Sequence, residues 1–331
     1  MGENTREHII FGKLALMLRG MAMGVAEVIP GVSGGTIAFI TGIYEKLLAT
    51  ITRFDLSLIK TFKENGISGV WERINGRFLL FLFGGMLFGV VSGILGVSYL
   101  LVNYPEPLWA FFFGLILASA IYFIRESIGG NLINIILFLL GCVIAFMIVA
   151  ISPVRGSENL MYVFFSGAVA ICALILPGIS GSFILLLLGM YTVIIPGLKS
   201  LATDFNSETL IIIIVFAFGC LTGILLFSRV LSYTFKNYEK PTIALMAGFM
   251  LGSLKKIWPW RNPTDAINKI TGDAIDINTF IADPQNDLYK LIQEVTVMPS
   301  DYIGDPRVFA VGLSFALGFG LIFLMLRFRD N

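Results

Sequence analysis

One interruption occurs twice in this chain and limits what it can fold into. Glu27–Glu45 reads EVIPGVSGGTIAFITGIYE and Leu176–Thr192 reads LPGISGSFILLLLGMYT, each set among long apolar runs. Proline lacks an N–H and glycine tolerates tight turns, so a helix arriving from Leu14 must end at Pro30 and Gly31. Ser33 is then a good N-cap, and Gly34–Tyr44 is predicted as a half-helix of roughly 15 Å, about half of the hydrocarbon thickness. The same reading makes Ser180 the N-cap of a second half-helix, Gly181–Tyr191. Non-helical backbone at that depth is tolerated only where protein or a watery cavity covers it.

The surrounding composition supports a membrane setting. The 331 residues are 56% hydrophobic and 14% charged, whereas ordinary globular domains carry about 25% charged residues. Phe78–Leu101, Leu108–Ile124, Leu132–Ile151, Leu210–Phe227 and Val308–Leu326 reach or approach the length that crosses a bilayer. The expectation is an all-α polytopic membrane protein. A net charge of +1 gives no sign of a nucleic-acid partner. Cys142, Cys172 and Cys220 lie within apolar runs and suit neither a disulfide framework nor a metal site, and nothing points to a cofactor. His8, in the polar N-terminal stretch, is the only histidine, which removes histidine chemistry from the membrane centre. MGENTREHIIFGK mixes charges of both signs and no A-x-A-like site closes the run after it, so no cleaved signal peptide is expected.

The interruptions belong to a longer duplication. Ala26–Glu45 laid over Ala173–Thr192 matches at eight of 20 positions, and Asn103–Ser119 over Asn237–Ser253 at seven of 17. Gly85 and Gly89 fall on Gly219 and Gly223 in the second frame. Loop charge supplies orientation. Arg53, Lys60, Lys63, Arg73 and Arg77 mark the Ala49–Arg77 connection as cytoplasmic, and Arg327 and Arg329 mark the C-terminus likewise. Trp258–Pro306 holds eight acids against three basic residues and fits the outer side. The scheme closes when each interrupted region dips in and returns, or crosses twice, which leaves the repeats inverted. Residues 1–150 form the first repeat, with its hairpin at about 14–48. Residues 151–331 form the second, with a hairpin at about 160–197 and an extracytoplasmic insertion at 258–306. Each repeat is then a broken hairpin plus three transmembrane helices, and both termini are cytoplasmic. Phe54, Leu56, Leu58, Ile59 and Phe62, among the basic residues of Ala49–Arg77, suit either an interfacial amphipathic helix on anionic lipid or a plain solvated connection. Gln285–Val295 reads as a short surface helix.

In inverted-repeat transporters, broken helices meet near the midplane and point their positive N-termini at anionic groups. Glycines flanked by Ser33, Thr36, Ser180 and Ser182 make such a cradle for a phosphate-sized anion. The plainer reading is that the glycines only let helices pack closely. No lysine follows them, so the pattern is not a Walker loop. Glu27 and Arg19 are ionisable and intramembrane by position, hence functional candidates. Arg19 offers charge to the anion, while Glu27 takes up a proton or positions Arg19; otherwise Arg19 snorkels and Glu27 caps. Repeat two has Leu174 in the place of Glu27, so the site is asymmetric.

GVAEVIPGVSGGTIAFITGIYEKLL and LPGISGSFILLLLGMY resemble the polyprenyl-phosphate transporter family over about Lys13 to Arg327. The resemblance implies a transporter rather than an enzyme. Its substrate would be undecaprenyl phosphate, the C55 lipid carrier of cell-wall and surface-polysaccharide synthesis, recycled from the outer to the inner leaflet of the bacterial inner membrane. By position it implies phosphate-binding roles for Glu27, Pro30, Gly31, Ser33, Gly34, Gly35 and Thr36, and for Pro177, Gly178, Ser180, Gly181 and Ser182. The expected partners are the polyprenyl phosphate and membrane lipids, with proton coupling through Glu27 and a homo-oligomer left open. Two rivals remain: an undecaprenyl-pyrophosphate phosphatase-like enzyme and a small-anion transporter or channel. The phosphatase motif has an arginine after its serine, where Gly34 and Gly181 stand here.

Overall fold

The computed structural model describes residues 3–29, 32–151, 154, 156–203, 206–268, 273–283, 286 and 288–329. Helix α1 (Glu3–Val28) leads to the short α2 (Gly34–Ile40) and α3 (Tyr44–Ile51). An exposed helix, α4 (Ser57–Arg73), connects these to the long apolar helices α5 (Gly76–Asn103), α6 (Pro105–Ser127) and α7 (Leu132–Ala150). The second half begins with α8 (Leu160–Ile175), followed by α9 (Gly181–Leu187) and α10 (Tyr191–Thr203). Next come α11 (Ser207–Asn237) and α12 (Glu239–Ser253). Asparagine side chains set several of these starts: Asn131, Asn159 and Asn206 each accept a backbone N–H from the first turn of α7, α8 and α11. Among the described residues, α5, α6, α7 and α11 are each long and apolar enough to cross a membrane, and α9 with α10 is an apolar pair bent by 112°, the shape of a broken span or a re-entrant loop.

The duplication read from the sequence is repeated in the element boundaries. Gly34 and Gly181 start α2 and α9, and Tyr44 and Tyr191 start α3 and α10, each pair 147 positions apart. Packing follows the same frame: α1 lies along α5 as α8 lies along α11, and α6 pairs with α14 (Val308–Arg329) as α12 pairs with α7. The last two pairs cross the expected boundary at 150, so the halves are interlaced. Small residues make the long seams possible. A Cβ on Gly20 would stand 2.2 Å from the Leu82 carbonyl oxygen, and one on Gly85 2.1 Å from that of Met17, so α1 and α5 touch backbone to backbone. Gly219 does the same against Phe164 in the matching seam, at 2.1 Å.

The half-helices are shorter than expected. Each spans seven residues, roughly 10 Å, before Gly42 (φ 73°) or Gly189 (φ 67°) turns the chain. Gly42 and Gly189 are in register in the repeat, yet their apolar neighbours read as uninterrupted helix. The turn after α2 is flanked by a buried aromatic cluster, where Phe39 stacks on Phe123 at 4.1 Å and Tyr44 meets Phe235 at 5.6 Å.

The membrane body is helical as expected, and the insertion adds a small sheet to it. After a 3₁₀ turn, Leu254–Ile257, it forms an antiparallel sheet of β1 (Arg261–Asn268), β2 (Ala274–Ile275) and β3 (Tyr289–Thr296) in the order β2-β1-β3, with α13 (Ile277–Ala282) on the way. The segment expected as a surface helix is therefore largely strand. Its partner β1 lies about 30 positions away in sequence, pairing Arg261 with Thr296 and Asn268 with Tyr289, beyond the reach of a local pattern. The domain docks on the turn between α5 and α6: buried Glu106 accepts from the Tyr302 hydroxyl at 2.6 Å and pairs with Arg307 at 3.6 Å. Burial, then the hydrogen bond to Glu106, pushes the Tyr302 hydroxyl up from its ordinary value. The exposed, partly apolar α4 is present as a helix, broken at Gly66 (φ 63°).

Candidate functional site

After α1 ends at Val28 the chain passes through Pro30 and Gly31, two expected site residues that lie outside the described residues. It re-enters at Val32, and Ser33 takes an extended conformation (φ −116°, ψ 137°) that suits an N-cap. The Ser33 hydroxyl accepts from the Gly35 N–H at 3.1 Å and donates to the Leu174 carbonyl of α8 at 2.8 Å. Glu27 reaches forward from α1, and its Oε1 accepts from the Gly34 N–H at 2.7 Å. The carboxyl thus sits where the notion of an open anion cradle would put the ligand. A Cβ on Gly34 would lie 2.7 Å from that oxygen, so a side chain there would push the carboxyl aside.

The second tip is tied to the first. Gly178 (φ 87°) donates its N–H to Thr36 Oγ1 at 2.9 Å, while a Cβ on Gly35 would stand 2.5 Å from the Ile175 carbonyl oxygen. Gly178 also abuts α12, since a Cβ there would be 2.7 Å from the Met250 backbone nitrogen. Beyond it, Ser180 caps α9 through a long 3.4 Å bond from the Phe183 N–H and shares a 2.9 Å hydrogen bond with the Ser182 hydroxyl. Ser33, Thr36 and Ser180 are 1%, 0% and 4% exposed, so the polar tips meet inside the protein; Ser182 is exposed. Pro177 and Gly181 are buried beside them.

Arg19 is not part of this cluster. It precedes Glu27 by eight residues on α1, roughly 12 Å along the axis. It is half-buried and makes no ion pair among the described residues. The structure instead brings a residue of another element to the second tip. Lys256, on the 3₁₀ turn after α12, lines a narrow cleft with Gly178, Ile179, Ser180 and Ser253. From sequence, a lysine at the end of a span reads as an interface anchor, and only the fold shows what it faces. Among the described residues no group of three or more His, Cys, Asp or Glu gathers as a metal site would require.

The arrangement is a polar junction of two chain breaks within an apolar helical body, with a carboxyl at one end and an amine at the other. The undecaprenyl phosphate translocase-like family profile matches residues 23–275, which include both tips and both of these groups. The chain is 45% identical over 248 residues to the polyprenyl-phosphate transporter of Vibrio cholerae serotype O1, covering 75% of this chain and 78% of that protein. It is 30% identical over 260 residues to the polyprenyl-phosphate transporter of Staphylococcus aureus, covering 73% and 85%. No solved structure matches it. The chain belongs to the undecaprenyl phosphate translocase-like family.

Proposed function

We propose that this multi-pass membrane protein carries a polyprenyl phosphate, of the C55 class, from the outer to the inner leaflet of a bacterial inner membrane. In this reading the repeats are inverted, both termini are cytoplasmic, and the phosphate crosses at the junction of the two tips. The observation that carries the reading is the direct contact between them, Ser33 to Leu174 and Gly178 to Thr36. Two helix breaks in register, buried and hydrogen-bonded to each other, are what a midplane site between repeats requires. The names of the relatives support the lipid as substrate.

The chemistry follows from who holds the Gly34 N–H. Glu27 holds it now, so a phosphate reaching the first tip must displace the carboxyl or share the tip with it. A carboxyl stripped of its partner in a low-dielectric interior is least costly with a proton on it, which couples lipid passage to proton uptake. The apolar tail needs no cradle and stays in lipid.

Purified protein in vesicles should move a fluorescent polyprenyl phosphate between leaflets without releasing inorganic phosphate. Phosphate release from the pyrophosphate form would replace this reading with an enzyme. Uptake of free anions without lipid movement would replace it with a small-anion channel.

A further inference from the structure

We infer that Lys256 is the cation that receives the phosphate monoester of the lipid at the second tip. The inference rests on the lipid-transport reading and adds a residue to it. Lys256 follows α12 directly, and its turn is tethered because Arg261 donates to the Lys256 carbonyl at 3.1 Å. Its amine lies 4.6 Å from the centre of the Phe183 ring, in the first turn of α9. Among the described residues it forms no ion pair. Glu294 on β3 attracts it electrostatically but is itself held by Arg261 at 3.0 Å. A half-buried ammonium that must share that carboxylate with a second cation keeps part of its charge unneutralised, and an aromatic face compensates only partly.

The hydroxyls of Ser180 and Ser182, 2.9 Å apart, supply further hydrogen-bonding groups on the α9 side, with Ser180 on the cleft wall itself. A lysine and a serine hydroxyl lining one cleft are chemistry for a phosphate and not for a neutral headgroup. The cleft wall also tells a lipid-borne phosphate from a free one. Ile148 and Val149 of α7 form it, and the same helix exposes Val143, Phe146 and Met147 as a lipid-facing surface would. The free space is about 10 Å³, room for one water. A headgroup therefore enters only as Lys256 leaves the Phe183 ring and follows the phosphate.

The test is binding of a polyprenyl phosphate to detergent-solubilised full-length protein, with leaflet exchange in vesicles alongside. Lys256→Met should weaken phosphate-lipid binding by about tenfold or more, the loss of a charge-assisted contact. It should leave binding of the corresponding polyprenol and the melting temperature near wild type, and Lys256→Arg should recover most of the loss. Inorganic phosphate should compete only at concentrations far above the lipid. Wild-type binding and exchange in Lys256→Met would overturn the inference, as would equal loss for the phosphate and the polyprenol. Competition by inorganic phosphate at concentrations equal to the lipid would reassign the cleft to a free anion. If the wild-type protein moved no polyprenyl phosphate at all, the functional reading itself would fail, a result distinct from these.

Discussion

At the first tip a carboxyl, Glu27, holds the Gly34 N–H at 2.7 Å; at the second, the matching position is Leu174, whose carbonyl instead accepts from Ser33. The first tip has spent its polar groups on protein. Its capping hydroxyl is bonded twice and its threonine is taken by Gly178. The second keeps a loosely held serine pair and stands beside a lysine. Nearly the same spelling thus produces a closed acidic end and a less committed basic end. A pathway with unlike ends favours entry of an anion at one and its handover at the other, and here the unlikeness comes from Glu27 against Leu174 together with Lys256 at the second tip.

The comparison can be broken hardest at the point of contact. Gly178→Val should cost about 3 kcal/mol or more and abolish leaflet exchange. Its φ of 87° is strained for a β-branched residue, and the new Cβ would sit 2.7 Å from the Met250 nitrogen. A melting curve in detergent together with the vesicle assay checks both effects. Next in size, Glu27→Leu makes the first tip resemble the second and should lose about 2 kcal/mol with the charge-assisted bond. Glu27→Gln keeps an acceptor for Gly34, so it should stay folded while losing any response of exchange to an imposed pH gradient. Retained pH response in Glu27→Gln would remove the carboxyl from proton coupling.

Smaller effects sharpen the same contrast. Ser33→Ala loses a cap and a cross-tip bond, about 2 kcal/mol, whereas Ser180→Ala loses only a long cap bond, about 1 kcal/mol or less. Equal costs in thermal unfolding would erase the proposed difference in commitment. The smallest concerns the connection that follows the first hairpin and has no counterpart after the second. The Ser57 hydroxyl, with help from Arg73, holds the Asp55 carboxyl below its usual range at the start of α4. A depressed carboxylate stabilises above the ordinary carboxylate range and loses that contribution as pH falls through its lowered value. Amide protection at the start of α4, measured against the intrinsic exchange rate at each pH, should therefore fall at acidic pH, and Asp55→Asn should remove the dependence.

Much of the fold was legible because its signals are local. Proline and glycine in duplicate and serine caps located both chain breaks, and apolar length located the long helices to within a few residues at most ends, although α11 runs ten residues past Phe227. Two things were not legible. The strands of the insertion depend on a partner some thirty positions away, and nothing in QNDLYKLIQEV announces it. The site's asymmetry was half visible. Glu27 against Leu174 can be read by alignment of the chain with itself, but Lys256 reaches the second tip only because α12 packs against Gly178. Arg19 illustrates the opposite error, a charge close in sequence and distant in space.

The glycine seam between α1 and α5 has a mechanical consequence. Two rods locked main chain to main chain at Gly20 and Gly85 have no cushion of side chains over which to slide, and the matching seam at Gly219 shares the restriction. Any breathing of the molecule must then be taken up at its bends, chiefly the turns at Gly42 and Gly189, so that the same small residue that stiffens the girders also supplies the joints.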